Sequence, residues 1–270
     1  MKQKIAQIRP EMCDALGVYA GDGTVLLVVK AASQLGLPVL ILPGGTANAL
    51  ATDFHIPATI QDSLDLFFRQ SFVLAQADIA TANGDDFILD LHYGLWAQAI
   101  GTASTEDKQR LGQLAYVKQV ITSMGESKPF EYDIEIDGIR QRITGYALMV
   151  ANGGFQNIFG LPLFPHKHRP GTLQMAIIRT VAPKDLLRWY WLRRIGRRRV
   201  SRIITVYTAE NIIIHTAPPH LIFDDNEGAT RLPMRIHNSG KTAQIIAPLP
   251  IPKPNLLQKF FSAQRRKIKS

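Results

Sequence analysis

The chain has 270 residues, with 46% hydrophobic side chains, 20% charged side chains and a formal net charge of +9. This composition is that of an ordinary globular protein, and it excludes collagen, coiled coil and wholesale disorder. The single cysteine, Cys13, excludes a disulfide scaffold and a cysteine-based zinc cluster, and no apolar run is long enough to span a membrane. The first residues contain no apolar signal region, so we expect a soluble, cytoplasmic protein.

The first part of the chain predicts alternating strands and helices. In chain order the predicted elements are a short helix within 1–14, a strand at 16–20, a helix at 25–34 closed by Gly36, a strand at 37–42, helices at 48–53 and 61–70, and a strand at 72–75. Glycine-rich turns at 21–24 and 43–46 follow the first two strands. Two strand–helix units in succession imply parallel strands.

After about residue 77 the pattern changes to strands bounded by Gly, Pro, Asn and Asp, which is typical of antiparallel sheet. The predicted strands lie at 87–91, 132–136, 141–151, 172–179, 202–207, 211–215, 220–224, 234–237 and 242–247, with a hairpin turn at Asp137-Gly138 and helices at 111–123 and 183–199. The predicted fold class is α/β plus β, a small doubly wound domain followed by a larger, antiparallel, sandwich-like domain. We place the boundaries at 1–77, 78–252 and 253–270, the last being a basic tail or helix.

The two glycine turns carry the clearest chemical signal. Each follows a strand and precedes a helix, where unpaired backbone amides and the helix dipole favour an anion such as phosphate. Glycine lets a phosphate approach the main chain, and Thr24 and Thr46 add hydroxyl donors. An acidic residue such as Asp22 among amides that bind an anion indicates that a divalent cation is also bound there. One such turn alone is usually only a tight turn, but two of them, one strand–helix unit apart, favour a phosphate site.

Several motifs together resemble the diacylglycerol kinase catalytic-domain family, which includes bacterial lipid kinases and sphingosine kinases and is distantly related to NAD kinases. Residues 20–24, Ala-Gly-Asp-Gly-Thr, resemble the family's Gly-Gly-Asp-Gly-Thr motif, and residues 43–48, Pro-Gly-Gly-Thr-Ala-Asn, resemble its Pro-x-Gly-Thr-x-Asn motif. Further matching stretches are Asp78-Ile-Ala, Asn83-Gly84, Tyr93-Gly94, residues 111–116, Asn152-Gly153 and the acidic turn 223–228. Their order and spacing hold over nearly the whole chain.

The resemblance implies an ATP- and Mg²⁺-dependent kinase that phosphorylates a lipid hydroxyl, with ATP in the cleft between a nucleotide-binding domain and a lipid-acceptor domain. The implied nucleotide contacts are Gly21, Asp22, Gly23, Thr24, Gly45, Thr46 and Asn48. Asp225 falls on the family's proposed general base and Glu227 on its acidic neighbour, and the implied metal ligands are Asp22, Asp78 and Glu227. A general base suits this chemistry because an alcohol is a poor nucleophile until its proton is removed.

The chain also departs from the family pattern. Only 20 residues precede Gly21, where the family has a longer segment with a further strand. Either the gene start is misplaced or the first domain is shortened, and a sheet without those strands would have an exposed edge. Ala20 replaces a glycine, Ala49 an aspartate of many members, and Asn226 a glycine whose left-handed turn asparagine tolerates. Residues 169–171, Arg-Pro-Gly, offer no carboxylate where some members bind a structural metal, so we expect no metal there.

The positive charge is concentrated in two segments. Residues 184–202 contain eight basic residues and one acidic residue, and residues 253–270 contain six basic and no acidic residues. Such concentration favours a polyanionic partner. Trp189 and Trp191, beside the first basic run, suit either core packing or a membrane interface. We expect a lipid substrate and peripheral binding to an anionic membrane, and no nucleic-acid partner because no recognition motif accompanies the arginines.

Two alternatives stay open beside the lipid kinase. The shortened N-terminal segment is compatible with a kinase-like protein that binds lipid or membrane without catalysing transfer, and the fold is compatible with an NAD kinase-like enzyme. The motif at residues 43–48 and the long β-rich second half favour the lipid kinase over the NAD kinase. A measurement of nucleotide binding separates the kinase from the inactive relative. The number of subunits is left open.

Overall fold

The computed structural model describes residues 7–95, 97, 128–152, 157–158, 161–162, 170–180, 182, 184–185, 203–219, 221–224, 226–228 and 231–249. Several predicted features lie outside these residues. They are the helix predicted at 111–123, nearly all of the helix predicted at 183–199, Asp225 and the basic segment 253–270. None of the helices in the described ranges is long and apolar enough to cross a bilayer.

The helices whose whole extent lies within the described residues belong to the first part of the chain. They are α1 (Asp22–Leu35), α2 (Ala49–Asp53) and α3 (Ile60–Phe68), preceded by a short 3-10 helix (Pro10–Met12). Helix α1 begins three residues before its predicted start, because Gly21 supplies the extended N-cap, and it ends where predicted at Gly36, whose φ of 68° is left-handed. A helix was predicted within residues 1–14. Of these, the structure describes residues 7–14, and their helical part is a single 3-10 turn that begins at Pro10.

Sixteen strands lie within the described residues. They are β1 (Leu16–Ala20), β2 (Val39–Pro43), β3 (Phe72–Ala82), β4 (Asp85–Phe87), β5 (Asp90–Gly94), β6 (Phe130–Ile136), β7 (Ile139–Gly145), β8 (Ala147–Ala151), β9 (Asn157–Ile158), β10 (Leu161–Pro162), β11 (Leu173–Ile178), β12 (Ile204–Ala209), β13 (Asn211–Thr216), β14 (Leu221–Phe223), β15 (Asn226–Gly228) and β16 (Met234–Pro248). The strands predicted at 234–237 and 242–247 therefore form one long strand.

The strands form two main sheets and one small pair, β9 with β10. The first sheet has the order β1-β2-β16-β13-β6-β7, with β3 beside β16 and β4 beside β3. Its β1–β2 pair is parallel, as the two strand–helix units predicted, whereas β3 runs antiparallel to β16. The second sheet has the order β12-β11-β8-β5-β14-β15 and is antiparallel throughout. These observations confirm the predicted fold class.

Each half of the molecule has its own hydrophobic core. The first core contains the apolar face of α1 together with side chains of β1, β2 and the end of β16, and Val29, Val39 and Ile245 in it are fully buried. The second core lies between the two sheets, where Tyr93 of one sheet and Tyr132 of the other are fully buried. The second half is therefore a β-sandwich.

Strands β3 and β16 connect the two halves. They pair along almost their whole length, and the pairing shifts register between Asn238 and Lys241, where Ser239 Oγ donates a hydrogen bond to the carbonyl oxygen of Ile79. Such a bulge bends a strand and increases its twist. The domain boundary predicted after residue 77 lies within β3, close to this bulge, and the last residues of β16 return to the first half.

Candidate active site

The two glycine turns lie side by side at the ends of β1 and β2. Strand β1 ends at Ala20, and the carbonyl oxygen of Ala20 accepts a hydrogen bond from Gly44 N at 3.0 Å. Gly23 and Thr24 form the first turn of α1, where Thr24 N donates to the carbonyl oxygen of Gly21. The parallel pairing of β1 with β2, which the two strand–helix units predicted, brings the two turns together.

Gly21 and Gly45 bring the backbones of the two turns into close contact. A Cβ atom added to Gly45 would lie 2.6 Å from Gly21 Cα and 3.1 Å from Asn48 Oδ1, which is too close for carbon. Any side chain at position 45 would therefore push the two backbones apart. This close backbone contact, which only glycine permits, lies beside the N-terminus of α1, where backbone amides favour an anion such as phosphate.

Asn48 closes the second turn from within. Its Oδ1 accepts a hydrogen bond from Gly45 N at 2.8 Å, and its Nδ2 donates to the carbonyl oxygen of Gly45 at 2.8 Å. The residue has a φ of 47°, a left-handed conformation that asparagine tolerates better than most residues. The structure thus gives Asn48 a bracing role in the turn, and its contact with a nucleotide stays a prediction.

Asp22 links the first turn to the second. Its Oδ1 accepts a hydrogen bond from Ala49 N at 2.6 Å, across 27 residues of sequence. The N-cap residue of α2, Asn48, makes no side-chain capping bond of its own, so Asp22 supplies the cap. Burial raises the pKa of the Asp22 carboxyl, although hydrogen bonds from the backbone amides around Ala49 oppose this rise.

We expect Asp22→Ala to lower the free energy of unfolding by about 1–3 kcal/mol, because it leaves the half-buried amide of Ala49 without its acceptor. Asp22→Asn keeps an oxygen at the same place and should recover part of the loss. Asp14→Ala, at an exposed position, is the control. Urea denaturation measures all three variants, and equal midpoints for Asp22→Ala and the control would contradict the capping role.

Asp78, another predicted site residue, lies where β3 passes into the sandwich. Its Oδ2 accepts a hydrogen bond from Gly171 N at 2.7 Å, and its carbonyl oxygen accepts one from Asn152 Nδ2 at 2.7 Å. Asn152 itself is buried. Asp78 therefore ties β3 to the segment that follows β8 and to the turn before β11.

The acidic turn near residue 225 joins β14 to β15. The backbone of Glu227 lies in β15, opposite Ile222, while Asp225 is outside the described part of the chain. Within the residues described, no three His, Cys, Asp or Glu side chains form a group that could hold a metal ion. The catalytic assignments of Asp225 and Glu227 and the metal assignments of Asp22, Asp78 and Glu227 stay predictions.

Two acidic residues that the sequence does not mark, the half-buried Asp53 and the buried Asp90, also lie close together. Asp90 begins β5, is buried, and pairs through Oδ1 with His92 Nε2 at 2.9 Å. Burial, together with repulsion from Asp90, raises the pKa of Asp53 at the end of α2 to about 7. No sequence signal marks these residues, because Asp53 and Asp90 come together only when the two halves of the molecule pack.

We expect Asp53 to make stability depend on pH. Its folded-state pKa lies above its ordinary value of 3.8, so folding favours the protonated carboxyl. The protonated form therefore contributes to the free energy of unfolding in full below about pH 4, and this contribution is lost as the pH rises through about 7. Asp53→Asn should remove this dependence and raise the free energy of unfolding at pH 8 by on the order of 4 kcal/mol, since the pKa rises from 3.8 to about 7 and each pKa unit corresponds to about 1.4 kcal/mol.

The measurement for Asp53 is thermal unfolding of wild type and Asp53→Asn between pH 4 and pH 8. Asp85→Asn changes an exposed carboxyl at the start of β4 and is the matched control, for which we expect the wild-type pH profile. Parallel profiles for wild type and Asp53→Asn would contradict the raised pKa.

Both halves of the chain match known families. Residues 1–79 match the model of the diacylglycerol kinase catalytic domain, and residues 93–247 match that of the YegS C-terminal NAD kinase beta sandwich-like domain. The second match alone spans more than half of the chain. The two matches follow in the order of the two cores described above.

Individual relatives are more distant. An uncharacterized protein of Synechocystis is 27% identical over 237 residues, which are 85% of this chain and 54% of that protein, so the chain spans about half the length of this relative. The "Putative lipid kinase SH2167" of Staphylococcus haemolyticus is 24% identical over 246 residues, 86% of this chain and 76% of that protein. A solved structure of a diacylglycerol kinase from Bacillus anthracis has a TM-score of 0.66 at 22% identity and covers 88% of this chain and 78% of its own. This likeness shows a common fold.

Proposed function

The chain belongs to the family in which a diacylglycerol kinase catalytic domain is followed by a YegS-type C-terminal domain, and from this we propose that it is an ATP-dependent lipid kinase. The observation that carries the proposal is the meeting of the two glycine turns, Gly21 against Gly45, within the part of the chain that matches the catalytic domain. The reaction transfers the γ-phosphoryl group of ATP to the hydroxyl of a lipid such as diacylglycerol.

The nucleotide phosphates lie against the first turn of α1, where Gly21, Gly23 and Thr24 present backbone amides and a hydroxyl. Gly45 and Thr46 line the other side of the same space. Asp22 and Asn48 act on this site through the backbone, because their side chains hold the second turn and the start of α2 in position. A phosphate site built in this way is rigid, which suits positioning of a transferred group.

The acceptor hydroxyl is activated by Asp225, which takes its proton as the phosphoryl group arrives. Glu227, Asp78 and Asp22 are the carboxylates that would hold Mg²⁺ with the phosphate oxygens, and the ion neutralises charge on the transferred group when it is bound. Carboxylate oxygens are the ligands that Mg²⁺ prefers. The proton of the lipid hydroxyl thus passes to Asp225. The bond between the γ-phosphorus and the oxygen that bridges it to the β-phosphate breaks, and ADP departs with that oxygen.

The test is ATP consumption by the purified chain against a panel of lipids in mixed micelles. Diacylglycerol, phosphatidylglycerol, a sphingoid base and a glycolipid precursor are offered separately, and the product is identified by mass. We expect phosphorylation of at least one lipid and none of NAD. Transfer to NAD would make the chain an NAD kinase-like enzyme. ATP binding without transfer to any acceptor would make it a kinase-like binding protein.

A kinase acting on a membrane lipid must also reach the bilayer, and we propose that the basic segments provide this contact. Arg193, Arg194, Arg197, Arg198 and Arg199 in the first segment and Arg265, Arg266, Lys267 and Lys269 in the second are the residues concerned. Each basic residue near an anionic surface contributes roughly 1 kcal/mol, falling off within a Debye length.

We expect sedimentation with anionic vesicles to fall steeply with salt and to be much weaker after the five arginines of the first segment are changed to glutamine. The control changes Arg69, Arg140 and Arg142 to glutamine, since these arginines are exposed at the side chain and lie outside the basic segments. Equal binding to neutral and anionic vesicles would refute the electrostatic contact.

A further inference from the structure

Asp224 is a buried carboxylate beside the predicted catalytic residue Asp225. Its side chain is 3% exposed, and its Oδ1 accepts hydrogen bonds from Leu89 N at 2.9 Å and Ile88 N at 3.1 Å. Its own backbone N donates to the carbonyl oxygen of Asp90 at 3.0 Å. These three bonds connect the end of β14 to the segment between β4 and β5 and to the first residue of β5.

A further partner of Asp224 comes from the other half of the molecule. Lys30 Nζ of α1 lies 2.5 Å from Asp224 Oδ2, and the lysine side chain is 23% exposed. Lys30 lies eight residues after Asp22, which corresponds to about 12 Å along a helix that begins at the first glycine turn. One rigid helix therefore connects the predicted phosphate site with the buried carboxylate that precedes Asp225.

Several observations indicate that this ion pair determines local geometry. Asp224 has a left-handed φ of 47°, an uncommon conformation that persists only where surrounding contacts impose it. Ile88 and Leu89, whose amides bind the carboxylate, pack into the core around α1. A buried carboxylate is costly unless it is paired and hydrogen-bonded, and Lys30 supplies a positive charge that pairs with Asp224, so replacing the lysine by an uncharged residue removes that compensation.

We propose that Lys30 and Asp224 are positioning residues, whose ion pair fixes the turn carrying Asp225 and Glu227 against the helix that begins at the nucleotide loop. The role in catalysis rests on the proposed kinase function, whereas the effect on the turn does not. Neither residue touches the reacting atoms in this proposal. They act by holding the general base at a constant distance from the phosphate site, and small displacements of reacting groups are costly to rate.

The experiment compares Lys30→Met, Lys30→Arg, Asp224→Asn and the double variant Lys30→Met/Asp224→Asn with wild type. The control is Lys241→Met, because Lys241 forms a more exposed ion pair with Asp86, at 3.0 Å, away from the turn. Circular dichroism establishes that each variant is folded. If Lys30→Met does not fold, Lys30→Gln takes its place, because glutamine can still donate to the carboxylate.

Amide hydrogen exchange over residues 221–228 tests the structural part without any need for activity. We expect exchange about tenfold faster in Lys30→Met, near wild type in Lys30→Arg and unchanged in Lys241→Met. The double variant should exchange no faster than the faster single variant, since the two residues form one interaction. Unchanged exchange in Lys30→Met would overturn the proposal, even if the wild type proves to be a lipid kinase.

The kinetic part uses the lipid that the wild type phosphorylates best. We expect Lys30→Met to lower kcat by about 10–100-fold with the KM for ATP within about threefold of wild type, and Lys30→Arg to restore most of the rate. If the ion pair served stability alone, its loss in Lys30→Met would speed amide exchange but leave kcat unchanged at a temperature where the variant is folded. That result would overturn the positioning role. A wild type without transfer to any lipid refutes the kinase function, and hydrogen exchange then decides the structural claim alone.

Discussion

Asp225→Asn is expected to lower the rate of lipid phosphorylation by about 10²–10⁴-fold while leaving the fold intact, because asparagine has the size of aspartate but cannot accept the hydroxyl proton. The expectation depends on the match of the acidic turn to the family's general base. Lipid phosphorylation by the purified variant, with circular dichroism as a check of folding, measures the effect.

The control for Asp225→Asn is Asp85→Asn, which removes one negative charge at an exposed position on β4. We expect the control to phosphorylate lipid at the wild-type rate. The nucleotide affinity of Asp225→Asn should also stay close to wild type, because the general base acts on the acceptor and not on ATP. A variant with near-normal turnover would remove Asp225 from the mechanism.

Gly45→Val is expected to weaken ATP binding by about tenfold or more. The valine Cβ would meet Gly21 Cα at 2.6 Å, and since Gly21 Cα is a backbone atom and the Cβ is fixed to its own Cα, the clash cannot be relieved without separating the turns. Separation would also strain the hydrogen bonds between Asn48 and Gly45. Calorimetric titration with ATP measures the loss of affinity.

Gly17→Ala is the matched control for Gly45→Val, because an added Cβ at position 17 of β1 meets no atom within 4 Å. We expect it to bind ATP as wild type does. Both proteins are compared by thermal unfolding, so that loss of binding is separated from loss of fold. An unchanged affinity in folded Gly45→Val would mean that the paired turns are not the nucleotide site.

Much of the first half of the fold follows from local sequence. The two apolar runs that precede the glycine turns form the strands β1 and β2. Gly36 ends α1 as predicted, because it adopts the left-handed conformation there. The double glycine turn and its family resemblance likewise located the candidate site. These features were predictable since they depend on residues that are neighbours in the chain.

The long strand β16 shows where local reasoning fails. Residues 238–241, Asn-Ser-Gly-Lys, have the composition of a turn and predicted an interruption between two strands. In the structure, Gly240 N donates to Asn238 Oδ1 and Lys241 N donates to Ser239 Oγ, so the same side chains stabilise a bulge within one strand. The partner strand β3 decides between turn and bulge, and it lies far away in the sequence.

The side-chain roles at the site were predictable only in part. The sequence indicated that Asp22 belongs with the phosphate turns, but its bond to Ala49 N depends on how β1 and β2 pair. The ion pair of Lys30 with Asp224 joins residues from the two halves of the molecule, and no spacing rule relates them. A lone lysine on the largely apolar helix α1 was the only local sign of it.

The course of β16 affects how the chain can fold during synthesis. Ala243 and Ile245, near the C-terminal end of the described chain, complete the core around α1, and Ile245 pairs with Val39 of β2. A ribosome therefore has to release almost the entire described sequence before the N-terminal half can close its core. Until then the apolar face of α1 and one side of β2 await a strand that is still being made, and this is the interval in which a chaperone would bind.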